Sequence, residues 1–229
     1  MVHKNTSIVI TVRENRIETQ NYRSLIFERP QGFTFESGDW IDIEGINGPL
    51  AGGKTYSLSS SPTDPELMIT FKDGFSELKR AMMTAIPGDT FKIVQYGNDY
   101  KFTLHPHKPS TLIAGGVGIA PFRSMLKEII DTGDANIINL LYLNKTPDFL
   151  FLQEIEHWSK KLKNFKVSYL VTGAAKKKDK TKFILSAIGT LDQNFYIAGP
   201  EGMVESTKHL LIDAGVSVKN IKIDSFGGY

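Results

Sequence analysis

The 229-residue chain contains no cysteine. A disulfide framework, a thiolate metal site, a thiolate-held iron–sulfur cluster and a cysteine nucleophile are therefore excluded, and no metal site is expected. No apolar run approaches the ~20 residues that cross a bilayer, so no membrane span is expected. The opening, MVHKNTSIVITVRENR, turns charged too soon for a secretory signal, and the expected location is the cytoplasm. A strong charge bias is also missing. Lys and Arg number 27 against 25 Asp and Glu, which predicts no particular partner and no nucleic acid. The one dense basic run, KKKDKTK at 176–182, reads as a solvated loop.

What is present suits a folded globular protein. Hydrophobic residues make up 41% and charged residues 23%, enough for a core. The length fits one large domain or two of ordinary size. No internal repeat is visible.

The first half reads as short strands. SIVITVREN, SLIFERP, DWIDIEG, KTYSLSS, ELMITFK and DTFKIVQYG are β-branched or aromatic, and turn residues punctuate most of the joins. One helix interrupts them at 76–86, with Ser76 as its N-cap and PGD as the turn after it. The second half alternates apolar strands with amphipathic helices. Helices are expected at about 121–131, within 148–163, near 182–188 and at about 201–214. That alternation implies a parallel sheet covered on both faces. The break lies near HPHKP, where Pro106 and Pro109 interrupt both patterns. The expected architecture is an antiparallel β-barrel over residues 1–107, followed by an α/β domain with a parallel sheet over 108–229.

Chemistry enters at LIAGGVGIAPFRSM, residues 112–125. Glycines at a strand end let the backbone turn and approach a ligand closely. The helix that follows aims free N–H groups at that spot, which suits a pyrophosphate. Pro121 can open this helix because the first helical N–H has no partner there. A tight strand-to-helix turn alone would look the same. A second strand end, YIAGPEGM at 196–203, adds weight, because ligands of open parallel sheets bind at the carboxyl ends of strands.

Five segments together resemble the ferredoxin–NADP reductase family. KTYSLSSSP at 54–62 is similar to its flavin signature R-x-Y-S, and FKDGFSEL at 71–78 to its flavin pyrophosphate segment. GGVGIAP resembles its nicotinamide-nucleotide loop, AGPEGM its C-G-P segment and IDSFGGY its E-x-F ending. They occur in the family's order and spacing, over nearly the whole chain.

The resemblance implies a flavoprotein oxidoreductase in which NADH or NADPH reduces FAD by hydride transfer. FAD then passes electrons to a separate acceptor, such as ferredoxin, flavodoxin or a small molecule. It implies that Tyr56 lies on the flavin, that Ser57 places its hydroxyl near the reactive ring nitrogen, and that Leu58 and Ser59 line the flavin through backbone. Lys54 stands where the family has arginine; it keeps the charge for the pyrophosphate but loses the planar fork. Gly74, Phe75 and Ser76 would meet the pyrophosphate, which favours FAD over FMN. Gly116, Gly118 and Pro121 would shape the nicotinamide-nucleotide loop, with Gly199 and Pro200 near the nicotinamide. Ala198 replaces the family's cysteine, so no thiol touches that ring.

Asp224 replaces the glutamate of E-x-F; it either relays protons to the flavin or hydrogen-bonds within the last strand. Tyr229 either covers the other flavin face or frays. Thr172 and Gly173 stand where plant-type relatives carry Ser-Arg, and Asp148 would accept from a ribose hydroxyl and repel a 2′-phosphate. These favour NADH, while Lys145 and the lysine run argue for NADPH. Two alternatives remain: an electron-transfer flavoprotein subunit of a larger redox complex, and a non-catalytic nucleotide-binding module.

Overall fold

In the first half, alternation of inward apolar and outward polar residues builds a sheet with one dry face. β6 shows it, with Phe91 and Ile93 buried between the less buried Thr90 and Lys92. The computed structural model describes residues 2–99, 101–105, 108–133 and 137–226, with the backbone alone described for residues 2–6. Six strands come first: β1 (Val2–Thr19), β2 (Tyr22–Glu28), β3 (Trp40–Gly45), β4 (Thr55–Ser57), β5 (Glu66–Lys72) and β6 (Thr90–Asn98). They pair antiparallel in the order β4-β3-β6-β1-β2-β5. An antiparallel bridge between Leu58 and Ile69 joins the two outer strands, so the sheet curls towards a barrel. Ile10, Leu25, Phe27, Ile41, Ile43, Leu67 and Ile69 fill it.

Helix α1 (Glu77–Thr84) covers this core with Leu78 and Met82. Ser76 is its N-cap, as expected, accepting from the Lys79 amide at 3.3 Å. Its other end is held from β1. Asn15 Nδ2 donates to the carbonyls of Met82, Met83 and Ala85 at 2.9–3.1 Å, which satisfies groups that a helix leaves open.

The second half is a five-stranded parallel sheet. Its strands are β7 (Ser110–Gly115), β8 (Ile138–Asn144), β9 (Phe165–Val171), β10 (Asn194–Pro200) and β11 (Ile221–Phe226), in the order β11-β10-β7-β8-β9. Every residue of β7 is buried, as a strand covered on both faces requires. Leu112, Ala114, Tyr142 and Tyr196 face the layer of α2 (Ile119–Thr132) and α3 (Leu152–Lys161). Ile113, Leu141, Phe195 and Ile197 face α4 (Lys177–Leu185) and α5 (Glu201–Asp213). The strand order reverses between β7 and β10, which opens a crevice at their carboxyl ends.

Two helix boundaries differ from expectation. α2 begins at Ile119, after a 3-10 turn at Gly116–Gly118, so Pro121 is its third residue. No bond is lost, because the first four helical N–H groups have no partner within the helix. α4 begins at Lys177, so most of the lysine run is helical. Asp179 accepts from the Lys176 amide at 3.1 Å and starts the helix.

The two sheets meet along α2. Arg123, only 8% exposed, grips Glu154 through Nε and Nη2 at 2.9 and 2.8 Å, and its Nη1 donates to the Ser59 carbonyl at 2.7 Å. Ser37 donates to Glu128 at 2.6 Å, Thr63 to Asp131, and Lys127 lies 3.6 Å from Asp64. Among the described residues, no helix is long and apolar enough to cross a membrane, and no three or more acidic or histidine side chains cluster as metal ligands would.

Candidate active site

A cleft of ≈ 870 Å³ opens on the barrel and reaches the last strand of the parallel sheet. Lys54, Tyr56, Ser57, Gly74, Phe75, Ser76 and Asp224, all named from the sequence, line it together. The sheet register explains part of this. β3 pairs with β4 so that Trp40 lies opposite Ser57 and Asp42 opposite Thr55, and both β3 residues join the lining.

Tyr56 is half-buried. Its hydroxyl donates to the Gly53 carbonyl at 2.9 Å and its ring meets Phe71 edge-on at 6.2 Å. Burial pushes its phenol well above the ordinary tyrosine range. Ser57 is buried and its Oγ donates to Asp224 Oδ2 at 2.8 Å. Burial pushes the Asp224 carboxyl up to about 6; the Ser57 hydroxyl works against that rise and the charge of Asp99 adds to it. Asp99 itself accepts from Trp40 Nε1 at 3.2 Å.

The other wall is the start of α1. Gly52 has φ +131°, and a Cβ there would lie 2.5 Å from Ser76 Oγ, so only glycine lets this loop close on the helix N-terminus. Phe75 stands at the lip, 92% exposed. Leu58 and Ser59 are fully buried outside the lining. Leu58 packs in the barrel core, and Ser59 Oγ bonds the Met68 carbonyl and Thr70. Tyr229 lies outside the described residues.

The nucleotide-loop residues gather at the carboxyl end of the parallel sheet. Gly118 meets β10 so closely that a Cβ would lie 2.1 Å from the Ala198 carbonyl oxygen. Gly116 has φ +55°, and its carbonyl accepts from the Tyr142 hydroxyl at 3.1 Å. Gly199 backs onto Gly115, and Pro200 is the N-cap of α5. Asp148 is exposed beyond β8 and accepts from Thr146 at 3.3 Å. Thr172 spends its hydroxyl on the Asn144 carbonyl at 3.1 Å. Burial of Tyr142 pushes its phenol well above the usual range; the same hydroxyl accepts from the Leu150 amide at 3.2 Å.

Sequence reading did not single out Trp40, Asp42, Lys72, Lys79 or Asp99, which also line the cleft. Lys72 and Lys79 flank the DGFSEL stretch and were open to a charge count. Trp40 and Asp42 arrive by strand pairing and Asp99 by the segment that follows β6, and neither leaves a local mark.

Comparison with known proteins agrees with this geometry. The family model of the oxidoreductase NAD-binding domain matches residues 112–209. Sulfhydrogenase 2 subunit gamma of Pyrococcus furiosus is 33% identical over 155 residues, 65% of this chain and 52% of that protein. Ferredoxin–NADP reductase B of Sorangium cellulosum is 32% identical over 145 residues, 58% of this chain and 57% of that protein. The chain thus spans about half the length of these curated relatives. A crystal structure of a Neisseria gonorrhoeae ferredoxin NADP+ reductase with bound FAD and NADP superposes with a TM-score of 0.81 at 19% identity, covering 97% of this chain and 99% of that one. The fold is that two-domain fold: an antiparallel barrel followed by a parallel sheet with helices.

Proposed function

Starting from an oxidoreductase NAD-binding domain set behind a barrel of the ferredoxin–NADP reductase type, we propose that this chain is an FAD-dependent NAD(P)H oxidoreductase. One observation carries the reading: Tyr56, Ser57 and Gly74–Ser76 from the first half share a single cleft with Asp224 from the second. The proposed division is a flavin-binding unit at 1–107 and a nucleotide-binding unit at 108–229.

The residues fit the group. The volume lies within the ~300–1,000 Å³ of small-ligand sites. Trp40, Tyr56 and Phe226 offer aromatic surface, and the α1 N-terminus offers N–H groups beside lysines. When bound, FAD would accept a hydride from the nicotinamide and deliver the electrons to a separate acceptor. The chain supplies placement. Tyr56 gives a ring to stack on and keeps water away. Ser57 holds a hydroxyl between the cleft and Asp224. Asp224, with its carboxyl raised to about 6, holds a proton on Oδ in mildly acidic solution and releases it near neutrality. Gly116, Gly118, Pro121, Gly199 and Pro200 shape the nucleotide crevice. NADH is the proposed donor: Asp148 meets the ribose, and Thr172 is committed to Asn144.

The test is anaerobic. Purified protein is titrated with NADH and, separately, NADPH while the visible spectrum is recorded. Bleaching of a flavin band at low NADH supports the reading. Protein that retains no flavin band after incubation with FAD and removal of the unbound flavin overturns it.

A second reading is an electron-transfer subunit of a larger redox complex. It is favoured by the relative from Pyrococcus furiosus, named as a subunit and about twice this chain's matched span. Stable co-purification with an acceptor protein under mild conditions supports it.

A further inference from the structure

The first residue of β2 belongs to the barrel but meets the other half of the chain. Tyr22 pairs with Thr19 of β1 and with Lys72 of β5. The Asp73 amide donates to the Asn21 carbonyl at 2.9 Å, and Arg23 holds the Asp73 carboxylate at 3.1 Å, so the turn that carries Tyr22 is pinned. Half-buried, the Tyr22 ring packs on the hydrophobic core that the parallel sheet shares with α2 and α3. Its hydroxyl stands over the glycine loop: a Cβ on Gly116 would lie 3.5 Å from Tyr22 Oη. Burial pushes this phenol above the ordinary tyrosine range, so at neutral pH it is an uncharged O–H donor. Among the described residues no group accepts from it.

An acceptor faces the same space. Asn144 Oδ1 lies 3.8 Å from that Gly116 Cβ position. Its orientation is set, because Nδ2 donates to the carbonyls of Thr146 at 3.1 Å and Asp148 at 2.9 Å. Both amide hydrogens are thereby used, and the oxygen is the atom turned to the crevice. Tyr142, by contrast, spends its hydroxyl on the Gly116 carbonyl and the Leu150 amide. Gly116 has φ +55° and no side chain, so the gap that Tyr22 and Asn144 face stays open.

We propose that Tyr22 and Asn144 form a subsite for the ribose on the nicotinamide side of the dinucleotide, Tyr22 donating to a sugar hydroxyl and Asn144 Oδ1 accepting from one. The inference rests on the NAD(P)H reading above and adds a barrel residue to a crevice otherwise built by the second half. A ribose diol both donates and accepts, which matches one donor beside one acceptor; a phosphate only accepts and would be repelled by the Asn144 oxygen. The choice of ribose follows from the sheet register. Tyr22 lies directly opposite Lys72, which lines the flavin cleft, so the two side chains share a face of the sheet. Asp148, proposed for the other ribose, lies beyond β8.

Calorimetric titration of the flavin-loaded protein tests this with two probes: NAD+, and an NAD+ analogue whose nicotinamide ribose lacks both hydroxyls. Tyr22→Phe keeps the ring and removes the donor. It is expected to weaken NAD+ about two- to tenfold, the range of one neutral hydrogen bond. The analogue should bind Tyr22→Phe and unaltered protein equally, which a general loss of packing would not allow. Retained flavin is expected in both proteins. The proposal is overturned if Tyr22→Phe binds NAD+ as unaltered protein does, or if it weakens the analogue as much as NAD+. Unaltered protein that holds flavin but binds no nicotinamide nucleotide sinks the NAD(P)H reading itself, a result distinct from either of these.

Discussion

Ser57 Oγ donates to Asp224 Oδ2 across 2.8 Å, so a barrel strand and the last strand of the parallel sheet share one hydrogen bond inside the cleft. The bond joins residues 167 positions apart and exists only when both sheets are assembled. It places a titrating carboxyl behind a serine at the point where the two halves meet.

Asp224 should leave a mark on stability against pH. Its folded pKa of about 6 lies above the ordinary value of 3.8. Between about pH 4 and 6 the folded state therefore holds a proton that the unfolded state has lost. The contribution of this group is full below pH 4 and is lost as pH rises through 6. Asp224→Asn is expected to flatten that segment of the profile, measured by urea unfolding at pH 4, 5, 6 and 7. An unchanged slope rules out Asp224 as its source.

Arg123 is expected to be a stability residue. Arg123→Ala removes the fork to Glu154 and strands the Ser59 carbonyl. Glu154 is 41% exposed and can rehydrate, so the loss is about 1–3 kcal/mol rather than that of a fully buried pair. Arg123→Lys keeps the charge without the planar fork and falls between. Chemical denaturation of the three proteins checks the order.

Gly118→Ala puts a methyl 2.1 Å from the Ala198 carbonyl oxygen, so the loop or β10 must move. The expected result is about 1–3 kcal/mol of lost stability and weaker nicotinamide-nucleotide binding. Gly189→Ala, where a Cβ meets nothing within 4 Å, is the matched control and should be neutral. Calorimetry of both variants with and without NAD+ separates the two effects.

Releasing Lys54 offers a gain of affinity. Its Nζ lies 3.4 Å from Asp42 Oδ2 and 3.4 Å from Glu44 Oε1. Glu44→Gln removes one of these two carboxylates and part of the repulsion toward an incoming phosphate. FAD affinity should rise about two- to fivefold, the scale of an exposed ion pair. A drop would show that Glu44 supports the site.

Donor choice turns on Asp148. Asp148→Asn removes an exposed negative charge near the expected position of a 2′-phosphate. The ratio of kcat/KM for NADPH over NADH should rise about two- to fivefold. An unmoved ratio places the determinant elsewhere.

The strands of the first half were legible because turn residues mark their ends, and the start of α1 because Ser76 caps it. α4 was misplaced for a physical reason. Ile184 is its one buried residue, so no apolar stripe repeats along it, and the lysines mask the Asp179 cap. The cleft was legible where its residues are consecutive, as in Lys54–Ser57 and Gly74–Ser76. Trp40 and Asp42 join through the β3–β4 register, and Asp99 through the fold of the segment after β6. Neither a register nor a crossing is written in a local pattern. The engagement of Lys54 by Asp42 and Glu44 was invisible for the same reason: a lysine in a motif carries no record of the carboxylates a neighbouring strand will bring beside it.

Along α2, one end of the helix emerges from the glycine loop, while Arg123, Lys127, Glu128 and Asp131 are bolted to the barrel. A chain severed between its halves would therefore bare two matched faces of charged and hydrogen-bonding groups with their counterparts gone. Each piece would bare apolar surface as well, because Phe102 packs on Phe122 and Tyr196 across the same seam, and would be drawn back to the other piece when the two are mixed.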